Sequence, residues 1–141
     1  MDIFNTLDVS SSALKAQRIR LDTISSNLAN VETTSTPEGG PYKKKSVYFQ
    51  SQPLSFNDHL DGKVKNSIQG VEVTKIVEDQ EAPQRIYNPS HPDAGADGYV
   101  AMPNVNVLKE MVDMTSATRA YEANTTVIKS AKRMALKALE I

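Results

Sequence analysis

All seven prolines and all six glycines of this 141-residue chain lie between Pro37 and Pro103. Proline lacks a backbone donor and fixes φ, and glycine loses the most backbone entropy on ordering, so both interrupt helices. Two long uninterrupted flanks must therefore bracket a punctuated middle. Six of the eight aromatics (Tyr42, Tyr48, Phe49, Phe56, Tyr87 and Tyr99) also fall in that middle, which predicts a small strand-rich core of its own there. The expected fold is mainly α with a small β insertion. Residues 1–32 and 104–141 supply long helices that pair as a coiled-coil-like unit, and residues 33–103 supply a β-rich middle domain.

In the N-terminal flank Leu7, Leu14, Leu21 and Leu28 recur every seven residues, with Ser10, Gln17, Ile24 and Val31 as companions three positions on. Ser10, Ser11 and Ser12 either cap a helix beginning near Ser12 or lie inside one that starts near Ile3. In the C-terminal flank the steps alternate between four and three: Val107, Met111, Met114, Thr118, Tyr121, Thr125, Ile128, Lys132, Ala135 and Leu139. Asn106 is placed to cap this helix. Glu110 and Asp113 lie early in it, and Lys129, Lys132, Arg133 and Lys137 lie late, the order that suits the helix dipole. At ~1.5 Å per residue such a helix is about 50 Å long, more than the middle segment can cover. Something else must lie along it. The residues expected to carry these contacts are Leu14, Leu21, Ile24 and Leu28 on one flank and Met111, Met114, Tyr121, Ile128 and Leu139 on the other. The bulky leucines are expected to fill gaps beside Thr118 and Thr125, leaving Val112, Val127, Met134 and Leu136 for neighbouring molecules.

Between the flanks, Thr33 to Pro41 reads as a turn-rich linker and Tyr42 to Gln52 as a strand whose lysine run, Lys43 to Lys45, guards a sheet edge. Residues 71–78 alternate as a second, half-exposed strand. A third is expected around Arg85 to Tyr87 and a return to the sheet at Tyr99 to Ala101, with an irregular loop from Asn88 to Asp97 between them.

Sixteen basic against seventeen acidic residues give a net charge of −1, which supplies no electrostatic reason to bind nucleic acid or an anionic membrane. The chain has no cysteine, which excludes thiol catalysis, disulfides and cysteine-ligated metals. No apolar run approaches the ~20 residues that span a bilayer, and the N-terminus lacks the basic start of a cleaved signal. His59 between Asp58 and Asp61, and His91 before Asp93, are the one enzyme-like signal. No paired-histidine spacing supports a metal there, and a calcium-loop likeness at Asn57 to Gly62 fails because Ile68 occupies the closing glutamate position. Phosphate-cradle and nucleophile-elbow motifs are absent, so no catalytic, cofactor or metal residues are expected. Glu110, Asp113, Arg119 and Glu122 read as a solvated or inter-subunit face, and the sequon at Asn124 as chance inside a helix.

Three stretches carry a resemblance. The first is Ser12-Ala13-Leu14-Lys15-Ala16-Gln17-Arg18-Ile19-Arg20-Leu21, continuing to Ser26-Asn27-Leu28-Ala29-Asn30-Val31. The second is His91-Pro92-Asp93-Ala94 followed by Gly98-Tyr99-Val100 and Met102-Pro103-Asn104-Val105-Asn106-Val107. The third is Glu110-Met111-Val112-Asp113-Met114 with Arg119-Ala120-Tyr121-Glu122-Ala123-Asn124. Through these the whole chain resembles the flagellar basal-body rod proteins. The resemblance implies a non-enzymatic structural subunit that polymerises through its terminal helices into the periplasmic drive shaft transmitting motor torque. It also implies an inner tube domain built from those helices, an outer middle domain, and export by the flagellar type III apparatus without signal cleavage. The implied partners are copies of itself, the rod proteins FlgB, FlgF and FlgG, and the adaptor FliE; no cofactor is implied. Two other classes share some features of the pattern. A soluble helical adaptor or export chaperone would expose similar helices but close into a small oligomer, and a small metallohydrolase would use His59 and His91.

Overall fold

The helix-forming flanks and the interrupted middle are visible directly in the element order. The computed structural model describes residues 3–52 and 69–140. Helix α1 spans Ile3–Ala29, strands β1 and β2 span Lys45–Ser51 and Val71–Glu78, β3 and β4 span Gln84–Tyr87 and Tyr99–Met102, and helix α2 spans Val107–Leu139. The serine run lies inside α1 rather than at its start. Ser12 is tolerated there because its hydroxyl donates to the Val9 carbonyl at 2.8 Å and accepts the β2 amide of Val71 at 3.0 Å. Asn106 caps α2, its side-chain oxygen accepting the Lys109 amide at 3.1 Å.

The strands form two separate antiparallel hairpins rather than one sheet. β1 runs against β2 from Lys45 opposite Glu78 to Ser51 opposite Val71, with an irregularity at Tyr48 and Phe49. β3 pairs with β4 from Gln84 opposite Met102 to Tyr87 opposite Tyr99. The first strand begins at Lys45, three residues later than the sequence suggests, and Tyr42 and Lys44 before it bond to Asn27 and Glu110 on the helices. Gly98 shapes the second hairpin: its φ is +73°, and a Cβ there would meet the Tyr87 ring at 2.8 Å.

The two helices are antiparallel: Asn27 lies against Glu110, and Arg20, two turns earlier in α1, reaches Asp113 at 3.1 Å. α1 is the central element, packed on α2 along one side and touching both strands of the first hairpin on another. That hairpin lies along α1, with Lys45 near Asn27 at one end and Val71 near Ser12 at the other. At this second end a Cβ on Gly70 would come within 2.7 Å of both the Ser12 hydroxyl and the Gln52 side chain, so only glycine lets the backbone approach so closely.

The buried apolar residues are Ala16, Ile24, Val100, Val105, Ala117 and Ala131. The expected separate core of the middle segment is not found among the described residues. β3 is exposed along its whole length, and Phe49, Ile76, Ile86, Tyr87 and Tyr99 are all exposed. Two-stranded hairpins have too few layers to bury both faces, so the first hairpin instead leans on α1.

The helix pair, its polar junction and its outer face

The expected seam on α2 is displaced by one residue. Glu110, Ala117 and Ala131 are buried, and Asn124 is half-buried at the intervening position of the same seven-residue series. Met114, Ile128 and Ala135 are half-buried on the same face. Met111, Thr118, Lys132 and Leu139 of the expected companion series are exposed, and Tyr121 is partly exposed. Thr118 therefore offers no gap for a leucine to fill, whereas Thr125 is half-buried. The close approach is made by alanines, which let the helix axes come nearer than bulky side chains would. On α1, Ile24 is buried, while Leu14, Leu21 and Leu28 are half-buried around it. Ser10 and Thr23 are buried as well, Thr23 donating to the Ile19 carbonyl at 2.9 Å.

The same displacement leaves large apolar side chains outside. Leu108, Met111, Val112, Met134, Leu136 and Leu139 are each more than half exposed, and Val127 is 41% exposed. The fully buried apolar positions of α2 are alanines, Ala117 and Ala131, with Met114 and Ile128 half-buried beside them, while several of its largest apolar side chains stand outside, which a helix that completes its burial within one chain would not show.

At one end of the pair lies a buried polar junction that sequence reading missed. Asn27 is 1% exposed and Glu110 2% exposed. The Asn27 amide nitrogen donates to the Lys45 carbonyl at 2.9 Å and to Glu110 Oε2 at 3.0 Å. Its oxygen accepts the Lys45 backbone N–H at 2.9 Å and the Tyr42 hydroxyl at 3.0 Å. Two donors and two acceptors exhaust what a carboxamide offers. Facing Lys45, Asn27 satisfies both a backbone N–H and a C=O, the pairing a neighbouring strand would supply. The second oxygen of Glu110 meets the Lys44 ammonium at 2.8 Å. Glu110 thus belongs to a buried anchor rather than a solvated face, and Lys44 is its counter-ion rather than an edge guard. Arg119 and Glu122 do pair on the exposed surface, at 3.0 Å. Beside the junction opens a groove of about 340 Å³ bounded by Arg20, Lys45, Val47, Phe49 and Lys109.

The remaining enzyme-like signals divide. His59, Asp58, Asp61 and the calcium-loop likeness fall outside the described residues. His91 Nδ1 accepts the Asp93 amide at 3.1 Å, and the Asp93 carboxylate accepts the Thr34 hydroxyl at 2.6 Å, so this loop is tied to the turn after α1. Among the described residues no group of three or more metal-ligating side chains is gathered, and no helix is long and apolar enough to cross a membrane.

Comparison with known proteins coincides with the two helices. Residues 7–35 match the family described as "Flagella basal body rod protein", and residues 96–141 match "Flagellar basal body rod FlgEFG protein C-terminal". Both ends of the chain are thus those of a flagellar axial protein of the rod class. Along its full length the chain is 49% identical to the flagellar basal-body rod protein FlgC of Bacillus subtilis, covering 99% of that protein. It is 45% identical to FlgC of Borreliella burgdorferi and 40% identical to FlgC of Salmonella typhimurium, in each case over all of this chain and 98% of the relative. The chain belongs to the FlgC family of flagellar basal-body rod proteins. Members of this family are structural proteins and not enzymes, and neither the adaptor nor the hydrolase alternative is favoured.

Proposed function

We propose that this chain is a subunit of the proximal rod, polymerised through its terminal helices into a shaft that carries motor torque. The observation that carries the reading is the apolar outer face of α2, where Leu108, Val112, Met134 and Leu136 stand exposed. A lone chain that leaves such a face in water forgoes about 1.5–3 kcal/mol per large side chain, which neighbouring subunits recover. In this reading residues 1–32 and 104–141 form the inner tube domain and residues 33–103 the outer one. Leu14, Leu21, Ile24, Leu28, Met114 and Ile128 hold the pair together, while Met111, Tyr121 and Leu139 add to the face offered to neighbours. The neighbours are copies of itself and other rod proteins, with FlgB, FlgF, FlgG and the adaptor FliE as the named partners, and the site is the periplasmic region of the basal body, reached by type III export without signal cleavage.

The test separates pair from lattice. Ile24→Asp, inside the pair, is expected to lose both the folded chain and assembly. Val112→Glu, on the outer face, is expected to leave the fold intact and to remove the tagged protein from purified basal bodies. Incorporation of the Val112→Glu chain at the unaltered level refutes the outer face as an interface.

A further inference from the structure

The chain holds five methionines and no cysteine, so thioethers are its only sulfur. With no thiolate to compete, a mild oxidant that reaches the chain reacts at methionine, and first at the most accessible ones. The four methionines among the described residues divide by that measure. Met102 and Met114 are half-buried, whereas Met111 and Met134 are 54% and 58% exposed on the outer face of α2. The two exposed sulfurs differ in their surroundings, because the neighbours of a helical side chain lie three and four residues away. For Met111 these are Val107, Leu108, Met114 and Thr115, and the Thr115 hydroxyl already donates to the Met111 carbonyl at 3.0 Å. None of them has a free donor. For Met134 they are Ser130, Ala131, Lys137 and Ala138, and Lys137 is exposed.

Resting on the reading of this outer face as an interface, we propose that Met111 is an oxidation-sensitive control point for assembly, with a peroxide as the oxidant. The thioether sulfur attacks a peroxide oxygen. An S–O bond forms as the O–O bond breaks, sulfur gives up two electrons, and the other oxygen leaves as water. The product, methionine sulfoxide, is polar and only accepts hydrogen bonds. In the free chain water supplies the donor. Against a neighbouring subunit the new oxygen is drawn out of water beside the exposed Leu108 and Val112, with no donor from its own helix, so the contact is weakened. At Met134 the Lys137 ammonium, three residues on, is placed to donate, and the same modification does less harm. The fold of the single chain is spared in both cases, because neither side chain packs inward. Assembly covers the sulfur, so the control acts on subunits not yet added. A methionine sulfoxide reductase drawing two electrons from a dithiol removes the oxygen as water and restores the site.

The purified chain is treated with hydrogen peroxide and its peptides are weighed. One added oxygen is expected at Met111 and Met134 before Met102 and Met114, and oxidation of Met111 no faster than that of Met114 overturns the proposal. Tagged variants are then compared in purified basal bodies. Met111→Gln, a polar stand-in for the sulfoxide, is expected to keep the unaltered midpoint in chemical denaturation and to be incorporated about tenfold less. Met134→Gln is expected to lose less than Met111→Gln. In cells exposed to peroxide, newly built basal bodies should take up a Met111→Leu chain in preference to the co-expressed unaltered chain, and equal uptake overturns the proposal. Incorporation of Met111→Gln at the unaltered level, with Val112→Glu still excluded, refutes the oxidation control and leaves the rod reading standing. Incorporation of both removes the interface on which the proposal rests.

Discussion

Asn27 shows how much one small side chain can hold. Its four hydrogen bonds tie α1 to β1 and to α2 at once. Asn27→Leu leaves the Lys45 peptide, the Tyr42 hydroxyl and Glu110 short of partners, and is expected to destabilise the chain by about 3 kcal/mol or more in chemical denaturation. Combined with Glu110→Leu, the loss should be smaller than the sum of the two single losses, because both members of one network are then removed. Lys44→Met strands the buried Glu110 carboxylate and should cost about 2–4 kcal/mol, toward the low side for a buried pair because the lysine is 18% exposed. Lys43→Ala next to it should be neutral within about 0.5 kcal/mol. The three lysines are indistinguishable in sequence, since the partner that singles out Lys44 lies far downstream, at Glu110. Asn27 was legible only within a family motif, because a polar residue inside a helical repeat carries no local mark of burial.

For the elements, the sequence pattern located every helix and strand described, and the difference lies in one of the two α2 series: Met111, Thr118, Lys132 and Leu139 stand exposed, while Met114, Ile128 and Ala135 of the other are half-buried on the inner side. Following the largest apolar residues leads to Met111 and Leu139, which are exposed, and past Ala117 and Ala131, which are buried. A rule that equates bulk with burial fails wherever a helix saves its bulk for another chain. Ala117→Leu should therefore overpack the pair and cost about 1–3 kcal/mol in stability, whereas the neighbouring Thr118→Ala should stay within about 0.5 kcal/mol. Equal effects at the two positions would place the seam where the sequence reading put it. Removing the cap with Asn106→Ala should cost about 1 kcal/mol by the same measurement.

At the scale of the molecule, the described part of the middle segment leans on the helices more than its composition suggests. Its first hairpin borrows Asn27 as a strand partner and Ser12 as a contact, and the second buries little beyond Val100. A fragment of residues 33–103 is accordingly expected to give a collapsed amide spectrum, and a well-dispersed spectrum would show a self-sufficient domain. The antiparallel course of α1 and α2 also brings the first and last described residues to the same pole, the one farthest from the junction at Asn27 and Glu110. Mechanically, tension applied between the chain's two ends would load the helix pair in a peeling rather than a shearing geometry. The turns would separate in succession from the open pole, and the polar junction would be the last thing to yield.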